Sequence, residues 1–166
     1  MKNVLSLAEL NRKVQQSIKT ALPDACWVKA EITELKENSS GHCYLELVEK
    51  GDDETIIAKA RGIIWSYTYR MLKPYFYSAT QQYLDAGLSV LIQVVAEFHE
   101  LYGYSLVIKD IDPAYTVGEV ALQKTKIINQ LKAEGVYDMN RGWELAIVPQ
   151  RIAVISSRTA AGYEDF

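Results

Sequence analysis

The chain has 166 residues, 49% hydrophobic and 23% charged. That is long enough to bury one core, and the composition is that of a globular protein, not a disordered or fibrous one. Eighteen Lys and Arg against 21 Asp and Glu leave a formal charge of −3, which excludes a uniformly basic nucleic-acid binder and confines any such site to a local patch.

The first element predicted is a helix over 6–21. Ser6 and Glu9 have capping-box spacing, and Leu7, Leu10, Val14, Ile18 and Ala21 form one apolar stripe. Asn11, Arg12, Lys13, Gln15 and Gln16 fall on the opposite, solvent face, and Pro23 with Asp24 ends the helix. The start of the chain shows no apolar core or small-residue cleavage site of a signal peptide, and no apolar run is long enough to cross a membrane. Cytoplasm is the expected compartment.

The stretch 27–47 reads as two strands of period two joined by a loop over 36–41. Val28, Ala30 and Ile32 share the inner face of the first strand, and Leu45 and Leu47 that of the second. His42, Tyr44 and Glu46 point outward, and the loop length predicts a projecting tip. Cys26 and Cys43 fall on or beside this hairpin and read as two reduced, buried cysteines. With only two histidines and no C-x-x-C, no metal site and no cofactor are expected.

A third strand is predicted over 55–64, with Ala58 and Ala60 inward, Lys59 and Arg61 outward, and Gly62 at a bend or bulge. Residues 65–86 carry Trp65, Tyr69, Leu72, Phe76 and Tyr83 at helical spacing around Pro74. They read as a kinked helix or two short ones with a core-facing aromatic stripe, capped by Gly87. A second hairpin follows over 88–111. Val90, Ile92, Val94, Ala96 and Phe98 alternate, Glu100–Tyr104 turns, Leu106 and Ile108 return, and Pro113 stops the strand. A helix over 118–134 ends at Gly135, and the apolar run 151–156 has the pattern of a buried parallel strand. One strand cannot bury itself, so a further α/β domain is expected beyond it.

The predicted class is mainly β with flanking helices (α+β). Its centre is a five-stranded OB-fold barrel with an N-terminal helix and a helical insertion between strands three and four. Such barrels bind oligonucleotides or oligosaccharides on strands two and three, between the loops after strands one and four. On this reading the exposed face carries Lys29, Lys36, His42, Tyr44, Lys59, Arg61 and Tyr102. Cations track phosphates and tyrosines stack on bases. Glu31, Glu46 and Glu100 share the surface, so a solvated mixed-charge face, or a structural and protein-contact module, is the competing reading. No phosphate-cradling loop, nucleophile elbow or zinc-protease motif is present.

Four motifs together resemble one family. They are W-V-x-x-E-I from Trp27, S-G-H-x-Y from Ser40, L-K-x-E-G-V-Y-D from Leu131, and P-x-x-I-A-V-I-S-S-x-T-A-A from Pro149. The chain resembles the large subunit of exodeoxyribonuclease VII over nearly its whole length. The resemblance implies an OB-type domain that binds single-stranded DNA, then a catalytic domain that degrades single strands without divalent metal. A long helical region with copies of a small helical subunit follows in that family. It implies domains at 1–116 (OB-type), 117–149 (helix and connector) and 150–166 (start of the catalytic domain). It also places the family's catalytic aspartate on Asp165. Arg158 stands where the family commonly has proline, and 65–86 is longer than in many members.

Overall fold

A computed structural model describes residues 4–144, 147, 148 and 150–156. The elements are α1 (Leu7–Ala21), β1 (Cys26–Glu37), β2 (Cys43–Lys50), β3 (Ile56–Ile64), α2 (Ser66–Thr80), β4 (Ser89–His99), β5 (Gly103–Asp112) and α3 (Pro113–Ala133), then a 3-10 turn, Met139–Gly142. The strands close a barrel in the order β1-β2-β3-β5-β4. All pairings are antiparallel except β3 with β5, a short parallel contact at Gly62↔Leu106 and Ile63↔Val107. This is the expected OB arrangement, with α2 between β3 and β4. None of the described helices is long and apolar enough to cross a membrane.

Closure depends on β1. From Cys26 to Glu31 it pairs with β4, and from Glu31 to Glu37 with β2. A bulge between Ile32 and Glu34 bends the strand from one partner to the other. The extra residue, Thr33, also shifts the inward phase: Val28, Ala30 and Ile32 are followed by Leu35. Inside, Ile32, Leu45, Leu47, Ile64, Val90, Ile92, Val94, Leu106 and Ile108 meet Tyr69, Leu72 and Phe76 of α2. The register runs straight through Gly62, so it marks no bend. It is there for space, because a Cβ would lie 3.1 Å from both Leu47 and Ile108.

Several expectations are corrected. Ala60 packs against the core, but Ala58 is exposed, because β3 is not paired with β5 at that level. Only Cys43 is buried; Cys26 is exposed, and the two are apart, Cys26 starting β1 beside Val94 and Cys43 starting β2 beside Glu37 at the far end of β1. The loop after β1 is no projecting tip. Asn38 Oδ1 accepts the backbone N–H groups of Ser40 (3.0 Å) and His42 (2.9 Å) and folds it into a tight turn.

α2 is a single helix with Pro74 inside. Its C-cap is Gln81, left-handed at φ 57, whose N–H donates to Tyr77 O at 2.8 Å; Gly87 instead feeds β4, donating to Ile32 O at 2.7 Å. The stripe read there divides: Tyr69, Leu72 and Phe76 are buried, whereas Trp65 and Tyr83 are exposed.

α1 forms with its capping box complete, yet none of its residues is fully buried. Leu7 and Leu10 are exposed; Val14 and Ile18 are half-buried. Asn11 and Gln15 do not face open solvent. Their amides donate to Glu100 O (2.8 Å) and Phe98 O (2.9 Å) at the end of β4.

α3 starts at Pro113, earlier than expected, because proline is suited to the first helical position and Asp112 Oδ1 accepts the Ala114 N–H at 3.0 Å. Buried Thr116 donates to Ser89 O at 2.9 Å and ties the helix start to β4.

The chain divides into two units, 1–124 and 125–166. In the second, Gly135 (φ 72) closes α3 as expected, with the Val136 N–H donating to Leu131 O at 3.0 Å. The strand expected over 151–156 is not formed: Ile152, Val154 and Ile155 are exposed. A parallel strand exists only within a sheet, and the described residues of this unit contain no other strand.

Candidate nucleic-acid interface

The outer face of β1, β2 and β3 carries two aligned cross-strand rows. One runs Lys36, Tyr44, Ile63; the next runs Glu34, Glu46, Arg61. Period-two alternation puts all six outward while Leu35, Leu45 and Gly62 face the core. A groove of about 580 Å³ lies over these rows, walled by Trp65 and by Tyr102, Tyr104 and Ser105. Tyr44, Trp65, Tyr102 and Tyr104 are all exposed, at 42%, 43%, 75% and 46%. Four ring systems around one opening are unusual for a solvated face, because apolar ring surface in water is unfavourable.

Local contacts hold the rings in place. His42 lies under Trp65, edge to face at 5.0 Å, and its Nδ1 accepts the Ser66 N–H at 3.0 Å. It thereby caps α2, whose N-cap residue, Trp65, supplies no side-chain acceptor of its own. On the opposite wall His99 Nδ1 accepts the Leu101 N–H (3.1 Å), and its ring lies 4.7 Å from that of Tyr102, tilted by 35°. Gly103, at φ +78, turns the chain so that Tyr104 returns along β5 into the groove.

The charges are arranged as pairs. Glu34 and Glu46 sit directly opposite each other, which is unfavourable for like charges. Each has a lysine: Lys36 pairs with Glu34, and Lys59 with Glu46 at 2.7 Å. Glu46 also accepts from the Thr33 hydroxyl at 3.1 Å. The Lys59 hydrogen bond, then those of Thr33 and the charge of Arg61, hold the Glu46 carboxyl below its ordinary range, so it is ionised at neutral pH. The bond to Glu34 raises Lys36. Among the described residues Arg61 forms no ion pair.

Of the residues expected to bind DNA, Lys36, Tyr44, Arg61 and Tyr102 line the groove. Lys59 stands at its flank, tied to Glu46. His42 is half-buried and positions Trp65. Lys29 lies apart, on the half of β1 that pairs with β4, its Nζ 5.4 Å from the Tyr115 ring centroid. Asp165 lies outside the described residues, as does Arg158.

Sequence reasoning missed Trp65 and Tyr104. Trp65 fits a helical stripe by spacing but precedes the helix. Tyr104 falls in the expected turn by sequence, but it follows Tyr102 at the strand period and lies on β5. Among the described residues no group of three or more His, Cys, Asp or Glu could hold a metal.

The family model for the OB-fold nucleic acid binding domain matches residues 5–112, the span from the N-cap region of α1 to the end of β5. The chain belongs to this family. Within it, the chain is homologous to the N-terminal region of exodeoxyribonuclease 7 large subunits. It is 40% identical to that of Deinococcus radiodurans over 98% of this chain and 40% of that protein. Against that of Rhodopirellula baltica it is 30% identical over 99% of this chain and 34% of that one. The chain thus spans well under half the length of these relatives. A solved SSB domain of a Synechococcus protein aligns with a TM-score of 0.36 and 10% identity, over 53% of this chain and 92% of that one.

Proposed function

We propose that the groove over β2 and β3 binds single-stranded DNA without sequence preference, and that this OB domain delivers the strand to the catalytic part of an exodeoxyribonuclease large subunit. The observation that carries the binding reading is the groove itself: Tyr44, Trp65, Tyr102 and Tyr104 surround Arg61 in one opening of about 580 Å³. Every base has a π-face, so ring stacking is tolerant of sequence, while a guanidinium serves the backbone. Single strands fit this chemistry better than duplex, whose bases are already stacked. The nuclease reading rests on the similarity to large subunits of that name.

Fluorescence anisotropy with a labelled oligonucleotide tests the binding. Saturable binding at low salt is expected, equal for mixed sequences of the same length. Arg61→Ala should weaken it several-fold and lower the salt slope by about one unit, as loss of one phosphate contact does. No binding at high protein concentration, or an unchanged slope in Arg61→Ala, defeats the assignment of this face. A protein-contact module would show neither binding nor salt dependence.

The resemblance also makes Asp165 a proposed catalytic carboxylate, and the small subunit a proposed partner of regions beyond this domain. In the full-length protein Asp165→Asn should abolish degradation of single strands on a gel and leave oligonucleotide binding intact. Retained degradation would remove Asp165 from the catalytic set.

A further inference from the structure

The carboxylates of the groove are the feature that a nucleic-acid site explains least. Glu34 and Glu46 lie side by side across β1 and β2, in the same cross-strand row as Arg61 and in the lining of the same groove. Each occupies a lysine that would otherwise be free for phosphate. Two acidic side chains directly opposite each other cost stability on a sheet, so packing gives no reason for them.

We propose, resting on the reading of the groove as a single-strand site, that Glu34 and Glu46 are its specificity-determining residues: by holding Lys36 and Lys59 in ion pairs they bias it toward single strands and against duplex DNA. A duplex carries about one charge per 1.7 Å and is held non-specifically almost entirely through phosphates. A groove with Lys36 and the flanking Lys59 masked and two carboxylates in its lining gives that interaction little. A single strand brings unpaired bases, and stacking contributes about 1–3 kcal/mol for each base without regard to the masked lysines. The masking is reversible. Exposed ion pairs are worth roughly 0–1 kcal/mol, so a strand already held by stacking can recruit a lysine, whereas a duplex must meet that cost and the repulsion of the carboxylates from its phosphate contacts alone.

The experiment compares the 166-residue chain with Glu34→Gln, Glu46→Gln and the double variant. Each is titrated with a labelled oligonucleotide and with the duplex of equal length over a range of salt. Glutamine keeps an oxygen for the Thr33 hydroxyl, so the bulge of β1 is retained. Glu34→Gln is the safeguard variant, since Glu34 is exposed and sits on the groove side of the strand.

In the double variant duplex affinity should rise about tenfold or more and single-strand affinity less, so that discrimination falls. The logarithmic salt slope should steepen by about 0.7–0.9 for each lysine released. Adding Lys59→Ala to Glu46→Gln should remove that variant's gain. Unchanged duplex affinity and slope in the double variant overturn the inference, and so does a gain that survives Lys59→Ala. Both outcomes leave the single-strand reading standing if the unaltered chain binds the oligonucleotide. If the unaltered chain binds no oligonucleotide, the single-strand reading and this inference fall together.

Discussion

Phe76 is fully buried in the barrel core, whereas Trp65, immediately before the same helix, stands 43% exposed in the groove. Tyr69 goes with Phe76 in the core; Tyr44 and Tyr104 go with Trp65. The residue types are alike and the surroundings opposite. In the core a ring is closed in by its neighbours, as Phe76 is, and its loss is a loss of stability. In the groove a ring is held on one side only, by His42 in the case of Trp65, and the other side is left for a ligand. Aromatic content alone therefore says nothing about role, and the two groups should answer to different measurements.

The largest expected effect is on the core side. Phe76→Ala should destabilise the barrel by about 3–5 kcal/mol, from lost burial plus the cavity left behind. Chemical denaturation followed by circular dichroism reads it directly. A loss below about 1 kcal/mol would mean that the end of the barrel under α2 is loosely packed and that Phe76 and Trp65 do not differ in role.

Trp65→Ala should reverse the pattern. Stability should change little, but single-strand affinity should fall by about 1–3 kcal/mol, the worth of one stacked base. A variant that loses stability and keeps affinity would move Trp65 into the core group.

The smallest effect is alkaline. Burial pushes the Cys43 thiol up to about 11 and the Tyr69 phenol up to about 12, from ordinary values of 9.0 and 10.0. Both groups are neutral when protonated, so the fold holds their protons more tightly than the unfolded chain does. Their contribution to stability is complete below about pH 9 and is lost as pH rises through the raised values. Melting temperature should fall between about pH 9 and pH 12. Cys43→Ala should flatten the lower part of that decline; an identical profile in the variant would exclude the thiol as its source.

The strands were legible because each is short-range information. Alternation in Val90–Ala96 and in Leu45–Leu47 repeats every second residue, and the core indeed uses those faces. The helix start at Ser6 was legible for the same reason, since a capping box is closed within four positions. The groove was half legible. Tyr44, Arg61 and Tyr102 follow from strand phase and loop position, but Trp65 was hidden by a helical spacing that extends one residue past the helix it describes.

What the sequence determined by itself is the five barrel strands, most of their inward faces and the order of elements within the barrel, because periodicity and capping act between near neighbours along the chain. What only the tertiary structure decided is where β1 changes partner, which tyrosines are core and which are groove, and which lysines are already taken. The bulge at Thr33, the turn of Gly103 and the pairing of Glu46 with Lys59 all join residues from different strands or turn one strand toward another. Register across strands is set when the barrel closes, and no local pattern in the chain carries it.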